Sequence, residues 1–264
     1  MNTSTQPLLE AVRCRAESRR RRQPLERLRD LVNTDSWRRE RFIQALSAPG
    51  LAIIGEVYRQ SPAGGVLLRE EARAGTNPAR QPIPGPRWHA LVDGLRSGGA
   101  AAIAVWTEED AYGCTLEDLL TVGHARLPRL RRDFVLDEGM ILEALNYGAD
   151  AIELRADTLE DGPLASLHAI VRELGAASVL RAEGPEELRR VLACEPDYVL
   201  LAGRSEWEAL AALLPAGKPF LLEDSVRERA DLELAARLGA KAVLIGEPLI
   251  RSADPAALLQ SLRG

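Results

Sequence analysis

Cysteine, histidine and lysine are all scarce in this chain. The three cysteines, Cys14, Cys114 and Cys194, stand far apart with no CxxC pair. That excludes a thiolate zinc site and a disulfide framework, and it fits a reducing, cytoplasmic setting. The three histidines, His89, His124 and His168, are equally scattered, so no metal-ligand spacing appears and no metal is expected. Of 34 basic residues, only Lys218 and Lys241 are lysines. Almost every cation is therefore a guanidinium, a fixed planar charge that gives up its proton far less readily than an ammonium. No apolar run approaches the ~20 residues of a membrane span. The opening MNTSTQPLLEAVRCRAESRRRRQ lacks the apolar segment of a secretory leader. A formal charge of −5 argues against a dedicated nucleic-acid binder.

What is present is regular. The 264 residues, 46% of them hydrophobic, suffice for one large domain with a substantial core. Residues 1–50 read as a helical extension, with apolar positions at helical spacing between arginines and a second helix from about Arg38 to Ala48. The run Arg19 to Arg22 has two readings, a solvated helix face or a basic patch for an anionic partner. From residue 51 an alternation begins. Strand-like runs cover 51–57, 100–106, 127–134, 149–154, 177–183, 197–203, 218–224 and 241–247, separated by amphipathic helical stretches. Alternating β and α elements call for a parallel sheet, and eight units over residues 51–264 predict an α/β fold, a closed (β/α)8 TIM barrel. An open doubly wound sheet is the alternative, but its G-x-G-x-x-G turn is missing.

In such a barrel, chemistry sits at the C-terminal ends of the strands. Strand one ends in Glu56-Val57-Tyr58-Arg59-Gln60-Ser61, and alternation puts Glu56 and Tyr58 on one face. The later strand ends contribute Arg132 and Phe134, Arg155, Arg181 and Glu183, Arg204, the triplet Glu223-Asp224-Ser225, and Gly246-Glu247. Five arginines, Arg59, Arg132, Arg155, Arg181 and Arg204, are thus expected at one rim. They form either a pocket for a polyanionic small molecule or a ring of Arg–Glu pairs with Glu56, Glu153, Glu183 and Glu223. The last strand runs through Gly246 into a short helix with Pro248 in its first turn, an arrangement suited to phosphate. Ser61 and Ser225 are placed to add a hydroxyl and a backbone N–H. Pro78, Pro82, Pro84 and Pro86 crowd the loop after strand one, read either as a lid or partner contact or as an insertion without fixed structure.

Taken in order, LAIIGEVYRQSPAGG, VWTEEDAYGCTLEDL, LPRLRRDFVLDEGMILEALNYGADAI and AVLIGEPLIRSADPAALLQSL resemble the indole-3-glycerol phosphate synthase family over nearly the whole chain. The resemblance implies ring closure of 1-(2-carboxyphenylamino)-1-deoxyribulose 5-phosphate, with loss of carbon dioxide and water and without metal or organic cofactor. The family's strand-one Glu falls on Glu56, its phosphate-contacting Ser on Ser61 and its Phe on Phe134. Its strand-six Arg falls on Arg204, its strand-seven Glu on Glu223 and its phosphate-site Gly on Gly246.

The remaining catalytic positions depart. The family's strand-one lysine falls on Tyr58, and its lysine general acid falls on Arg132. Its strand-five Glu falls on Arg181, its strand-six Asn on Ala202, its strand-seven Ser on Asp224 and the following Gly on Ser225. Candidate proton carriers become Glu56, Tyr58, Glu183 and Asp224, while Arg132 and Arg181 are expected to hold developing negative charge. Candidate binding residues are Arg59, Ser61, Phe134, Arg155, Arg204, Glu223, Ser225, Gly246 and Glu247. Three readings follow: a diverged lyase-like enzyme, an ordinary synthase of weak activity, and a non-catalytic ligand-binding barrel. In each the expected partner is a phosphorylated small molecule, with no nucleic acid and no membrane; the sequence assigns no oligomeric state.

Overall fold

The computed structural model describes residues 6–32, 37–68, 85–223, 226 and 228–263. Eight short, almost wholly buried runs rich in Ala, Val, Ile and Leu form the strands, as a sheet covered on both faces requires. They are β1 (Ala52–Val57), β2 (Ala102–Trp106), β3 (Arg129–Arg132), β4 (Ala151–Arg155), β5 (Ala177–Ala182), β6 (Tyr198–Leu201), β7 (Phe220–Leu222) and β8 (Ala242–Ile245). Each pairs in parallel with its successor, and β8 returns to β1 through Ala52 opposite Ala242, so the sheet is a closed barrel. The (β/α)8 expectation is met.

Alternation sorts the side chains. Ile54, Ala104, Leu130, Val179, Leu200, Leu221 and Leu244 fill the barrel interior, while their neighbours in sequence pack outward on the helices. Gly55 is one place where a side chain is excluded, since a Cβ there would lie 2.6 Å from Leu95 of the helix Pro86–Ser97.

Three helices precede β1: α1 (Gln6–Arg22), α2 (Leu25–Leu31) and α3 (Trp37–Ala45). The first helical stretch is split at Pro24, which cannot continue a helix interior. α3 closes the bottom of the barrel. Its Phe42 is fully buried and meets Tyr198 edge-on at 6.0 Å. Arg41 donates to Asp150 at 2.8 Å and Arg39 to Asp197, two aspartates at the lower ends of strands. α1 lies instead on the loops above the strands. Arg15 reaches Glu108 and Asp110, Arg19 reaches Glu143 at 3.1 Å, and Arg20 reaches Asp137 at 2.7 Å. Arg19 and Arg20 are therefore engaged within the chain, which answers the basic-patch reading for that half of the run. With the bottom sealed by α3, the strand C-termini are left as the open end.

A two-residue hairpin, Gln60–Ser61 against Gly65–Val66, follows β1 at that end. The proline-crowded segment expected as a lid or insertion lies outside the described residues up to Pro84. No helix among the described residues is long and apolar enough to cross a membrane.

Candidate active site

The strand C-termini enclose a cavity of about 710 Å³. The structure brings Glu56, Tyr58, Ser61, Arg132, Arg155, Arg181, Glu223, Gly246 and Glu247 together on its wall. Each stands at a strand end or in the loop that follows, and alternation turns Glu56 and Tyr58 inward together, as expected.

Arg132 organises the floor. Its side chain is only 3% exposed, and its guanidinium donates to three carboxylates from three other strand ends, Glu56, Glu153 and Glu223. Its face lies over Trp106, with the charge 4.6 Å from the ring. Burial works against that charge, but Glu153, Glu223 and Glu56 outweigh it and hold the guanidinium protonated well above its ordinary range. Burial likewise acts against the charge of Glu223, yet Arg132, Arg181 and Arg155 bring its pKa down to about 2. Burial and the nearby Glu56 and Glu247 push the Tyr58 phenol upward, so it stays neutral and able to donate. Tyr112, raised to about 12 chiefly by burial, stacks on Trp106 at 3.6 Å between ring centroids. These two aromatics make a flat wall beside the charged floor.

The expected rim of five arginines is reduced to three in the cavity. Arg59 follows Tyr58 and so points the other way. It pairs with Asp118 at 2.6 Å and lies over Trp88 at 4.3 Å, pinning the segment after β2. Arg204 leaves the barrel through the turn at Gly203, whose φ is +77°, and pairs with Asp231 at 2.9 Å. Phe134 packs behind the wall, against Arg155 and Trp106. Glu183 stands outside the cavity, half-exposed, and meets Arg181 at 3.1 Å. Asp224 and Ser225 lie outside the described residues. The three remaining guanidinium groups are matched by Glu56, Glu153, Glu223 and Asp157, so the mouth is a network of ion pairs and not a bare cationic rim. Among the described residues, no group of three or more His, Cys, Asp or Glu side chains could hold a metal ion.

The corner at the C-terminal end of β8 is differently built. Gly246 precedes the short helix Glu247–Arg251. Ser61 accepts from the Gly64 N–H at 2.9 Å, and Arg251 pairs with Glu247 at 2.7 Å. A Cβ at Gly246 would lie 2.7 Å from the Tyr58 hydroxyl and 3.0 Å from Glu56 Oε2. Gly246→Ala is therefore expected to cost about 1–3 kcal/mol by overpacking. In a Tyr58→Ala background the cost should fall by at least ~1 kcal/mol, read from urea unfolding of the four proteins. A cycle that closes with no coupling would show that the two residues do not crowd one another.

The family model for indole-3-glycerol phosphate synthase matches residues 5–262, and so spans the barrel, its cavity and the helices before it. The chain belongs to the indole-3-glycerol phosphate synthase family. The Micrococcus luteus protein named indole-3-glycerol phosphate synthase is 32% identical, covering 98% of this chain and 96% of its own. A namesake from Roseiflexus castenholzii is also 32% identical over essentially both chains, and one from Kineococcus radiotolerans is 35% identical over 78% of this chain and 73% of its own. Among solved structures, tryptophan synthase subunit alpha from Legionella pneumophila superposes with a TM-score of 0.60 at 13% identity, covering 84% of this chain and 97% of that one. That likeness shows the barrel fold alone.

Several residues of this family member's cavity carry no clear signal in the sequence. Trp106 ends β2 and Tyr112 closes the helical turn after it, aromatics that read as core. Arg251 stands four residues beyond Glu247, a spacing that reads as a solvent-side helical pair. Glu153 has its signal in the alternation with Arg155, and its role as a floor carboxylate emerges only once the barrel closes.

Proposed function

We propose that this chain is a diverged member of its family that binds a phosphorylated, carboxylate-bearing small molecule and acts on it by lyase, dehydration or isomerisation chemistry, without the family's ordinary rate of indole ring closure. One observation carries the proposal: the guanidinium of Arg132, where the resemblance places a lysine general acid, is held by Glu56, Glu153 and Glu223. A general acid works best with a pKa near the working pH. A guanidinium so bound keeps its proton. Its role is to fix three carboxylates and to stabilise charge on a ligand. The Glu56 carboxylate is left to move a proton, and the Tyr58 phenol beside it, held neutral by burial, serves as a hydrogen-bond donor. Ser61, the Gly246 corner and Arg251 offer a hydroxyl, close backbone approach and a cation for a phosphoryl group.

Purified protein given 1-(2-carboxyphenylamino)-1-deoxyribulose 5-phosphate should form the fluorescent indole product at least ~10³-fold more slowly than the Micrococcus luteus relative assayed in parallel, since each lost acid–base role is worth ~10²–10⁴. Matched rates would overturn the proposal and leave an ordinary synthase. Ribulose 5-phosphate at a hundred times its Kd should still stabilise the fold by about 2.7 kcal/mol against thermal unfolding. A second reading, a binding barrel without turnover, is favoured by the carboxylate partners that every guanidinium in the floor already has. It predicts that same protection with no product from any phosphorylated carboxylate tried.

A further inference from the structure

Arg155 and Arg181 occupy register-matched positions at the ends of β4 and β5, so two guanidinium groups stand side by side on the cavity wall. Their partners are uneven. Arg155 is bound to Asp157 by two contacts at 3.2 and 2.8 Å and approaches Glu153 at 3.5 Å. Arg181 gives its Nε to Glu223 at 2.7 Å and one terminal nitrogen to Glu183 at 3.1 Å. Its other terminal nitrogen, Nη1, is buried and has no hydrogen-bond partner among the described residues. The whole side chain is only 7% exposed. Asp157 lies 3.8 Å from that nitrogen, too far for a hydrogen bond, and is itself 28% exposed. A buried N–H donor without an acceptor is costly, and an acceptor brought by a bound group is one way to satisfy it.

Resting on the phosphorylated-ligand reading above, we propose that the Arg155–Arg181 pair is a carboxylate clamp that selects ligands by a carboxyl group on their planar part. The vacant donor of Arg181 takes one oxygen, and Arg155 faces the other beside Asp157. The chemistry of the surroundings agrees with a carboxyl on a flat group. Arg155 lies over the Phe134 ring at 5.1 Å, and Trp106 with Tyr112 forms the flat wall of the same cavity. Planar forks suit planar carboxylates, in two parallel bonds where geometry allows. Asp157 is then an internal competitor. It half-satisfies the pair from the solvent side when no ligand is present.

Two matched probes test the clamp by titration calorimetry on the full chain: 1-(2-carboxyphenylamino)-1-deoxyribulose 5-phosphate, and the phenylamino compound that lacks only the carboxyl. Wild type should bind the carboxyl compound at least ~10-fold more tightly, the effect of one charge-assisted hydrogen bond. Arg181→Gln should erase that advantage and leave the carboxyl-free probe within about twofold of its wild-type affinity. Asp157→Asn should enlarge the advantage, because it removes the competitor. Opposite shifts confined to one probe are not produced by a general loss of fold, and retained binding of the carboxyl-free probe shows that the variants are folded. If wild type binds the carboxyl-free probe and the carboxyl adds nothing, or if the advantage survives Arg181→Gln, the clamp is wrong and the phosphorylated-ligand reading stands. If wild type binds neither probe, both fall.

Discussion

Arg132→Met lowers the midpoint of thermal unfolding by roughly 10 °C at pH 7 and by much less at pH 4. The substitution keeps most of the buried volume and removes the charge that Glu56, Glu153 and Glu223 share. Breaking a buried ion pair by deleting one partner costs ~3–5 kcal/mol, because the remaining charge is left in a poor solvent. For a domain of this size each 1 kcal/mol shifts the midpoint by ~2–4 °C. The pH dependence separates charge from packing. In wild type the pKa of Glu223 is depressed to about 2, so its contribution to stability is fully present above the unfolded carboxylate pKa near 4.5 and is lost as the pH falls toward 2. Without Arg132, the foremost of the cations that depress it is gone, and the buried Glu223 takes up a proton more readily. The variant is then least stable where Glu223 is ionised, and it regains stability as that group is protonated. Melting curves from pH 4 to 8 should show the gap between the two proteins closing on acidification. A gap of constant size would mean that the loss arises from packing around Trp106 and not from charge. Arg132→Lys should fall between the two, since a single ammonium keeps the charge but cannot span all three carboxylates.

Much of this site is legible in the sequence because strand alternation is a strict rule. Glu56 and Tyr58 point inward for the reason that Val57 does not. The same rule, carried one residue further, sends Arg59 outward to Asp118, so the five-membered arginine rim contradicts the alternation that produces its best members. Arg204 departs for another reason. Gly203 takes a positive φ and turns the chain before Arg204 can face the axis, and a glycine at a strand end does not announce which way the turn will go. The ion pairs are open to two readings in the sequence and resolve toward pairing. Glu56 lies on β1, Glu153 on β4 and Glu223 just beyond β7, and only barrel closure sets them around one guanidinium. Trp106 and Tyr112 stay hidden because an aromatic at the end of a strand or of a short helix looks the same whether it faces a core or a cavity.

Tyr58→Lys, Arg132→Lys and Arg181→Glu made together should raise indole formation at least ~10³-fold over wild type, while each single change gives less than ~10-fold. These are the positions where the resemblance places two lysines and a second carboxylate. The surrounding scaffold retains Glu56, Glu223, Ser61 and Gly246 on the same cavity wall. The ammonium that Arg132→Lys introduces would sit among Glu56, Glu153 and Glu223. An ammonium starts from an intrinsic pKa about two units below that of a guanidinium, so among the same carboxylates it gives up its proton more readily than Arg132 does. Tyr58→Lys would place a second ammonium beside Glu56 in place of a phenol that burial keeps neutral. Arg181→Glu would remove the clamp proposed for the carboxylate, and with it an interaction that favours keeping the group the family's reaction expels; ground-state binding of that kind slows a step in which it must leave. Acid–base groups that act as one unit are strongly non-additive, so partial restoration gains little. The readout is indole fluorescence under single turnover, with binding of the same compound measured in parallel. Should the triple variant fold, bind the compound and still form indole no faster than wild type, the loss of ring closure would not lie in these three side chains, and the assignment of Arg132 as the decisive replacement would be wrong.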